Sequence, residues 1–312
     1  MSCHQDPLCF FKNVNLSPGE KARLRLMLRP SGRMLILPYD QFIEHDCRHL
    51  EAESDSGNPD YIINLGIKGG YTAVAIHYGL SIRYWAKYDG AIPLLLKING
   101  KSSFPSDKAA FSSLTSFVED AVKLGAASIG YTMYYGTPRQ DEDIRQLADV
   151  RRECERFGMP LIIWAYPRGE AVDLKGGRDS NYALESAARM AAEMGATVIK
   201  SNEPKPAPEG FLDNEKVPKY FRKVEKELQA MKPEEAQFER MKRVVKAAQD
   251  VPVLFSGGSE IGDDDLLKKA KQAIDAGSIG FIFGRNMWKR KEAEALKITK
   301  KLTELLDAEV KR

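Results

Sequence analysis

The stretch Gly195–Asn202, GATVIKSN, carries the apolar run Ala196-Thr197-Val198-Ile199 and ends it on a lysine, Lys200. So short a run, directly behind a glycine fit to close a helix, reads as a strand buried on both faces. The same unit recurs on either side of it. Apolar runs stand at Arg33–Asp40 (RMLILPYD), Tyr71–His77 (YTAVAIH), Ile92–Gly100 (IPLLLKING) and Ala127–Gly136 (ASIGYTMYYG). Others follow at Met159–Gly169 (MPLIIWAYPRG), Val251–Ser259 (VPVLFSGGS) and Ser278–Asn286 (SIGFIFGRN), which with Ala196–Asn202 makes eight. Between them lie helical stripes. FSSLTSFVEDAVKLGA sets Leu114, Phe117, Val118, Ala121, Val122 and Leu124 largely on one face. YALESAARMAAEMGA does the same with Leu184, Ala188, Met190, Ala191 and Met194. Eight βα units in succession predict an α/β fold, a (β/α)8 TIM barrel filling residues 1–312 as one domain. A doubly wound sheet is the alternative, because strand order is not written in the pattern.

Two regions depart from the repeat. Residues 1–30 precede the first strand and form an N-terminal extension, helical or irregular. Residues 201–249 form a long loop and helical insertion after strand six. It opens NEPKPAPEGF and continues into the densely charged YFRKVEKELQAMKPEEAQFERMKRVVKAAQ. The charges read as a solvated helical face, and the position at the catalytic end of a barrel makes the loop a candidate lid.

Composition narrows the function classes. The 47 basic and 44 acidic residues leave a net charge of +3, which argues against a surface that coats nucleic acid. No apolar run approaches the roughly 20 residues of a membrane span, and MSCHQDPLCFFKN lacks the apolar core of a secretory signal. Cys3, Cys9, Cys47 and Cys154 have no paired spacing and read as free thiols of a reducing compartment. Cys3, His4 and Cys9 match no zinc pattern. The expectation is a cytoplasmic protein without metal, membrane or nucleic-acid partner.

In a barrel, polar residues at the C-terminal strand ends face the catalytic mouth. Here they are Asp40, His77, Lys97 with Asn99, Thr132, Trp164 with Tyr166, Lys200, Ser256 and Arg285. Ser256-Gly257-Gly258 and Gly284-Arg285 follow strands seven and eight, where barrels often hold phosphate. Their small residues let backbone N–H groups approach an anion, and Arg285 adds a bidentate charge. Lys200 could snorkel to water, clamp a phosphate or act as a nucleophile. The last role needs a neutral amine, hence burial or a nearby cation, for which Lys97 is a candidate. Tyr166 could shuttle protons, Asp40 could face an iminium and Trp164 could form an apolar wall. Core packing for Trp164 and Tyr166, and a helix N-cap for Asp40, are the bland counterparts.

These residues resemble the archaeal-type class I fructose-1,6-bisphosphate aldolases, a family with bacterial members, over about residues 33 to 290. The matching motifs are DQFIEH (Asp40–His45), KIN (Lys97–Asn99), WAYPRG (Trp164–Gly169), VIK ending at Lys200, SGG (Ser256–Gly258) and GR (Gly284–Arg285). Phe42 replaces the family's glycine, and Gln41 stands where archaeal members usually carry His. Trp164 and Glu44 favour this branch over the aminodideoxyheptulosonate synthases and the thiolase relatives.

The resemblance implies a lyase that needs no cofactor, with Lys200 as Schiff-base nucleophile and Tyr166, Asp40 and Trp164 around it. It implies phosphate binding at Ser256, Gly257, Gly258, Gly284 and Arg285, with Lys97 grouped among the binding residues. Glu203 and Glu209 are candidates for an acid that assists Schiff-base formation. The implied partners are a phosphorylated ketose and the triose phosphates dihydroxyacetone phosphate and glyceraldehyde 3-phosphate, in glycolysis or gluconeogenesis, within a homo-oligomer. Two other readings remain open. One is a lysine-dependent transaldolase-type synthase acting on another sugar phosphate; the other is a phosphosugar-binding barrel without catalysis.

Overall fold

All eight apolar runs form strands, and the strands close into a ring. In the computed structural model, which describes residues 6–47, 54–88, 90–257 and 261–308, they are β1 (Met34–Pro38), β2 (Ala73–His77), β3 (Leu94–Lys97) and β4 (Ser128–Tyr135). The other four are β5 (Leu161–Pro167), β6 (Val198–Ser201), β7 (Val253–Ser256) and β8 (Gly280–Ile282). Each pairs in parallel with its neighbours in sequence, and β8 returns to β1 through Met34↔Gly280 and Ile36↔Ile282. A closed ring excludes the doubly wound alternative.

Alternation along the strands explains why the runs read as continuously apolar. Met34, Ile36, Ala75, Leu95, Ile162, Trp164, Val198 and Leu254 point inward and fill the barrel. The residues between them, such as Leu35, Leu96, Ile163, Ile199 and Phe281, point outward and pack against the helices. Both faces are therefore buried, as a parallel barrel requires. Continuing the inward phase toward the C-terminal ends gives His77, Lys97, Thr132, Tyr166, Lys200 and Ser256. The polar layer of the mouth is thus the next storey of the same periodicity.

The N-terminal segment seals the other end. Leu8, Phe11, Leu16, Leu24 and Met27 join the inner cluster, where they cover the strand starts. Helix Pro18–Leu26 begins with a capping box in which Ser17 Oγ accepts from the Glu20 amide at 3.3 Å and Glu20 Oε2 accepts from the Ser17 amide at 2.8 Å. The C-terminal mouth is left open.

Three local expectations need correction. The stripe proposed over 111–126 is helical only at Val118–Lys123. Ser113–Leu114 instead pairs antiparallel with Asn99–Gly100, and the Thr115 amide donates to Ile98 O at 2.7 Å. Leu114 is therefore part of a small hairpin, and Phe117 is 65% exposed. The insertion after β6 does form helices, Lys219–Gln229 and Pro233–Ala247. Its charges are not all solvated, however. Arg240 meets Glu225 in two hydrogen bonds of 2.6 and 2.7 Å, and both residues are buried. Asn181 Oδ1 accepts from Arg240 and the Ala207 amide donates to Glu225, so the pair is saturated and anchors the loop. Finally, Cys9 is disulfide-bonded; Cys47 and Cys154 are the free thiols among the described residues. Among those residues no helix is long and apolar enough to cross a membrane.

Candidate active site

The C-terminal mouth opens into a cavity of about 410 Å³ lined by Asp40, Glu44, Trp164, Tyr166, Lys200, Ser256, Gly257, Gly284 and Arg285, among others. The barrel register brings several of these together. Thr132 pairs with Trp164 and Trp164 with Lys200 across β4, β5 and β6, so their inward side chains share one level.

Lys200 is 6% exposed. Its Nζ lies 4.6 Å from the centroid of the Trp164 ring and 5.4 Å from that of Tyr166. No hydrogen bond or ion pair from a described residue reaches it. Burial lowers its pKa from 10.5 to about 8; Asp40 and Glu44 oppose the drop, and Arg285 adds to it. The cation that adds to the drop is Arg285; Lys97 Nζ, 5.5 Å from the same Trp164 centroid, is paired with Glu44. The snorkelling reading fails because the side chain is buried and does not reach bulk solvent.

Trp164 is held in place by an absence. A Cβ on Gly130 would stand 2.7 Å from Trp164 Cη2 and Cζ3 and 2.7 Å from Leu95 Cδ2, so β4 must carry glycine for the indole to lie flat under Lys200. The buried Trp164 Nε1 has no partner. Asp40 is 5% exposed, its Oδ2 has no partner, and its side chain makes no capping bond to the short helix Gln41–Glu44. A buried carboxylate oxygen without a donor is costly, so the helix-cap reading does not account for it. The Tyr166 hydroxyl is pushed well above its usual pKa by burial first and then by Asp40 and Glu44, which keeps its proton in place at neutral pH.

The phosphate set is assembled in part. Gly257, Gly284 and Arg285 meet on the β7–β8 side of the cavity. A Cβ on Gly284 would fall 2.6 Å from Gln41 Nε2 and 3.0 Å from Pro38 Cγ, so a side chain there would displace Gln41 and crowd Pro38. Ser256 Oγ donates to Asn202 Oδ1 at 3.1 Å. Gly258 lies outside the described residues. Lys97 lies against the site, its Nζ 5.5 Å from the centroid of the Trp164 ring. It is fully buried, and its three protons go to Glu44 Oε1 at 2.5 Å, Asn99 O at 2.6 Å and Asn99 Oδ1 at 3.0 Å. It does not line the cavity and has no proton left for a phosphate. Glu203 lines the mouth, but its carboxylate accepts from Lys269 and Gln237, both at 2.9 Å. Glu209 is exposed and away from the cavity.

The sequence reading gave no role to Asn286. Its Nδ2 donates to Gly257 O at 3.0 Å and its Oδ1 accepts from the Ile261 amide at 3.0 Å, so one side chain ties Gly257 to Ile261 after β7. The residue directly follows Gly284-Arg285, but nothing in the sequence says that its amide reaches across to another loop. His77, at the end of β2, is buried with Nε2 unpartnered, and its pKa falls to about 4 through burial first and then Lys97.

Comparison with known proteins agrees with this geometry. The family model described as DeoC/LacD family aldolase matches residues 34–290. The class 1 fructose-bisphosphate aldolase of Thermoproteus tenax is 33% identical over 91% of this chain and 92% of its own. A probable class 1 fructose-bisphosphate aldolase of Chlamydia muridarum is 29% identical over 86% of this chain and 77% of its own. Among solved structures, an archaeal fructose-1,6-bisphosphate aldolase with its catalytic lysine covalently bound to the carbinolamine intermediate superposes with a TM-score of 0.75. It is 31% identical and covers 92% of this chain and 99% of its own. By family and by fold, the chain belongs to the DeoC/LacD family of aldolases.

Proposed function

We propose that the chain is a Schiff-base-forming class I fructose-1,6-bisphosphate aldolase with Lys200 as its nucleophile. The observation that carries the assignment is the buried Lys200 amine with a pKa of about 8, set between Trp164, Tyr166 and Asp40 in the C-terminal mouth of the barrel. At pH 7 about a tenth of such amines are neutral, against roughly one in three thousand for an ordinary lysine. That is the species that can attack a carbonyl.

The ketose enters with the phosphate beside its ketone on Gly257, Gly284 and Arg285. Lys200 Nζ adds to the ketone carbon to give a carbinolamine. Tyr166 gives its proton to the departing hydroxyl, which leaves as water, and an iminium forms. Asp40, which lines this space, balances the positive nitrogen and orients the hydroxyls. Tyr166, now a phenolate, takes the C4 hydroxyl proton as the C3–C4 bond breaks. The electron pair moves into the iminium and leaves an enamine, and the aldehyde departs. Tyr166 returns the proton to C3 of the enamine. Water then attacks the resulting iminium and passes a proton back to Tyr166, releasing dihydroxyacetone phosphate and Lys200. Trp164 keeps the amine desolvated from below.

Cleavage of fructose 1,6-bisphosphate by the purified protein, measured with and without a chelator, tests the reading. Activity that persists in EDTA and vanishes in Lys200→Met supports it; activity that survives Lys200→Met refutes it.

A further inference from the structure

Glu44 is 8% exposed, and one of its carboxylate oxygens is held from two strands. Oε1 accepts from Lys97 Nζ on β3 at 2.5 Å and from Thr132 Oγ1 on β4 at 2.9 Å. Lys97 and the Thr132 amide are fixed in turn by Asn99, whose Nδ2 donates to Thr132 O at 2.9 Å and to Ser112 O at 3.1 Å. The other oxygen, Oε2, receives no hydrogen bond from any described residue, and Glu44 lines the cavity. A carboxylate pinned by one oxygen and free at the other is a pre-organised acceptor that waits for a donor.

Its place in the ring says which donor. The order β1-β8-β7-β6-β5-β4-β3-β2 sets the β3–β4 boundary diametrically opposite the β7–β8 boundary, where Gly257, Gly284 and Arg285 lie. Lys200 on β6 stands between the two. A ketose anchored by its phosphate at β7–β8 and joined to Lys200 through its ketone extends its remaining carbons toward Glu44.

We infer that Glu44 Oε2 accepts a hydrogen bond from a hydroxyl on the aldehyde half of the substrate, so that the site selects α-hydroxyaldehydes over aldehydes lacking that hydroxyl. The inference rests on Lys200 acting as the Schiff-base lysine. Lys97 is then a positioning residue: it orients the carboxylate and neutralises it without touching substrate. A buried acceptor left without its donor loses the full value of that bond, which is why such sites discriminate strongly against the deoxy analogue.

The experiment compares condensation of dihydroxyacetone phosphate with D-glyceraldehyde 3-phosphate and with its 2-deoxy analogue, in the wild type and in Glu44→Gln. In the variant, Lys97 and Thr132 retain the amide oxygen, so an NH2 group replaces the free oxygen. The preference for the hydroxylated aldehyde, as a ratio of kcat/KM, is expected to fall about tenfold or more. Borohydride trapping of dihydroxyacetone phosphate alone, which needs only the ketone half, is expected to be retained at a rate no lower than wild type, because the Glu44 charge holds the Lys200 amine protonated. Glu44→Leu with Lys97→Met removes both charges and decides the matter if Glu44→Gln does not fold. A ratio that stays at its wild-type value in the folded variant overturns the inference. So does loss of trapping in that variant, which would put Glu44 on the ketone half. Absence of trapping in the wild type overturns the aldolase reading itself, and this inference with it.

Discussion

Replacing Lys200 with methionine is expected to stabilise the protein at neutral pH while removing its activity. An ordinary lysine titrates at 10.5 and Lys200 at about 8, chiefly because of burial. Each factor of ten in proton affinity is worth about 1.4 kcal/mol, so holding the ammonium inside the fold costs about 3 kcal/mol. The sign follows from linkage. Between pH 8 and 10.5 the unfolded chain keeps the proton and the folded chain has lost it, so the lysine's contribution to stability rises with pH across that window. The cost is fully present below pH 8, falls to about 1 kcal/mol at pH 10 and is gone well above 10.5. Methionine is of similar length and carries no charge. It is expected to melt higher than wild type by roughly 5–10 °C at pH 7, with most of that gap closed at pH 10. Thermal denaturation of both proteins at the two pH values measures this, and the difference between them cancels the titrating groups that do not interact with Lys200. A gap that does not change with pH, or a wild type that melts higher at pH 7, would refute the placement of a desolvated ammonium at this position.

Three further outcomes follow from the same geometry. The rate of imine formation with dihydroxyacetone phosphate is expected to climb with pH and level off above about 8, as the free amine fraction does; a pH-independent rate between 6 and 9 would contradict the lowered pKa. Gly130→Ala puts a Cβ 2.7 Å from the Trp164 ring, so it is expected to cost about 1–3 kcal/mol in an unfolding titration and to lower kcat by shifting the surface beneath Lys200. Asn286→Ala removes the bonds to Gly257 and Ile261 and is expected to raise KM for the phosphorylated ketose several-fold with a smaller change in kcat; unchanged KM would remove Asn286 from phosphate binding.

The architecture was legible because parallel strands buried on both faces leave a simple trace. Each apolar run became a strand, and the inward phase of Val198 and Trp164 carried on to Lys200 and Tyr166 at the mouth. What one sequence could not show were contacts made across the ring. Lys97 read as a cation for substrate or for Lys200, yet its charge is consumed by Glu44 and Asn99, which the spacing along the chain does not reveal. Glu44 itself served only to place the chain within a family, because its pairing with β3 and β4 depends on closure of the barrel. Asp40 read as a site carboxylate with a helix cap as the bland counterpart, and only the structure shows that its side chain makes no capping bond. The stripe at Leu114 and Phe117 had helical spacing, but the pairing of Asn99–Gly100 with Ser113–Leu114 overrode it. The charged insertion concealed its buried Glu225–Arg240 pair, since the sequence alone does not tell an inward charge from an outward one.

The central claim is that Lys200 forms the covalent intermediate. Incubating the protein with dihydroxyacetone phosphate and borohydride, then mapping the reduced adduct by peptide mass spectrometry, tests it directly. The account predicts one adduct, on the peptide containing Lys200 and absent in Lys200→Met. No adduct, or an adduct on another lysine, would contradict it.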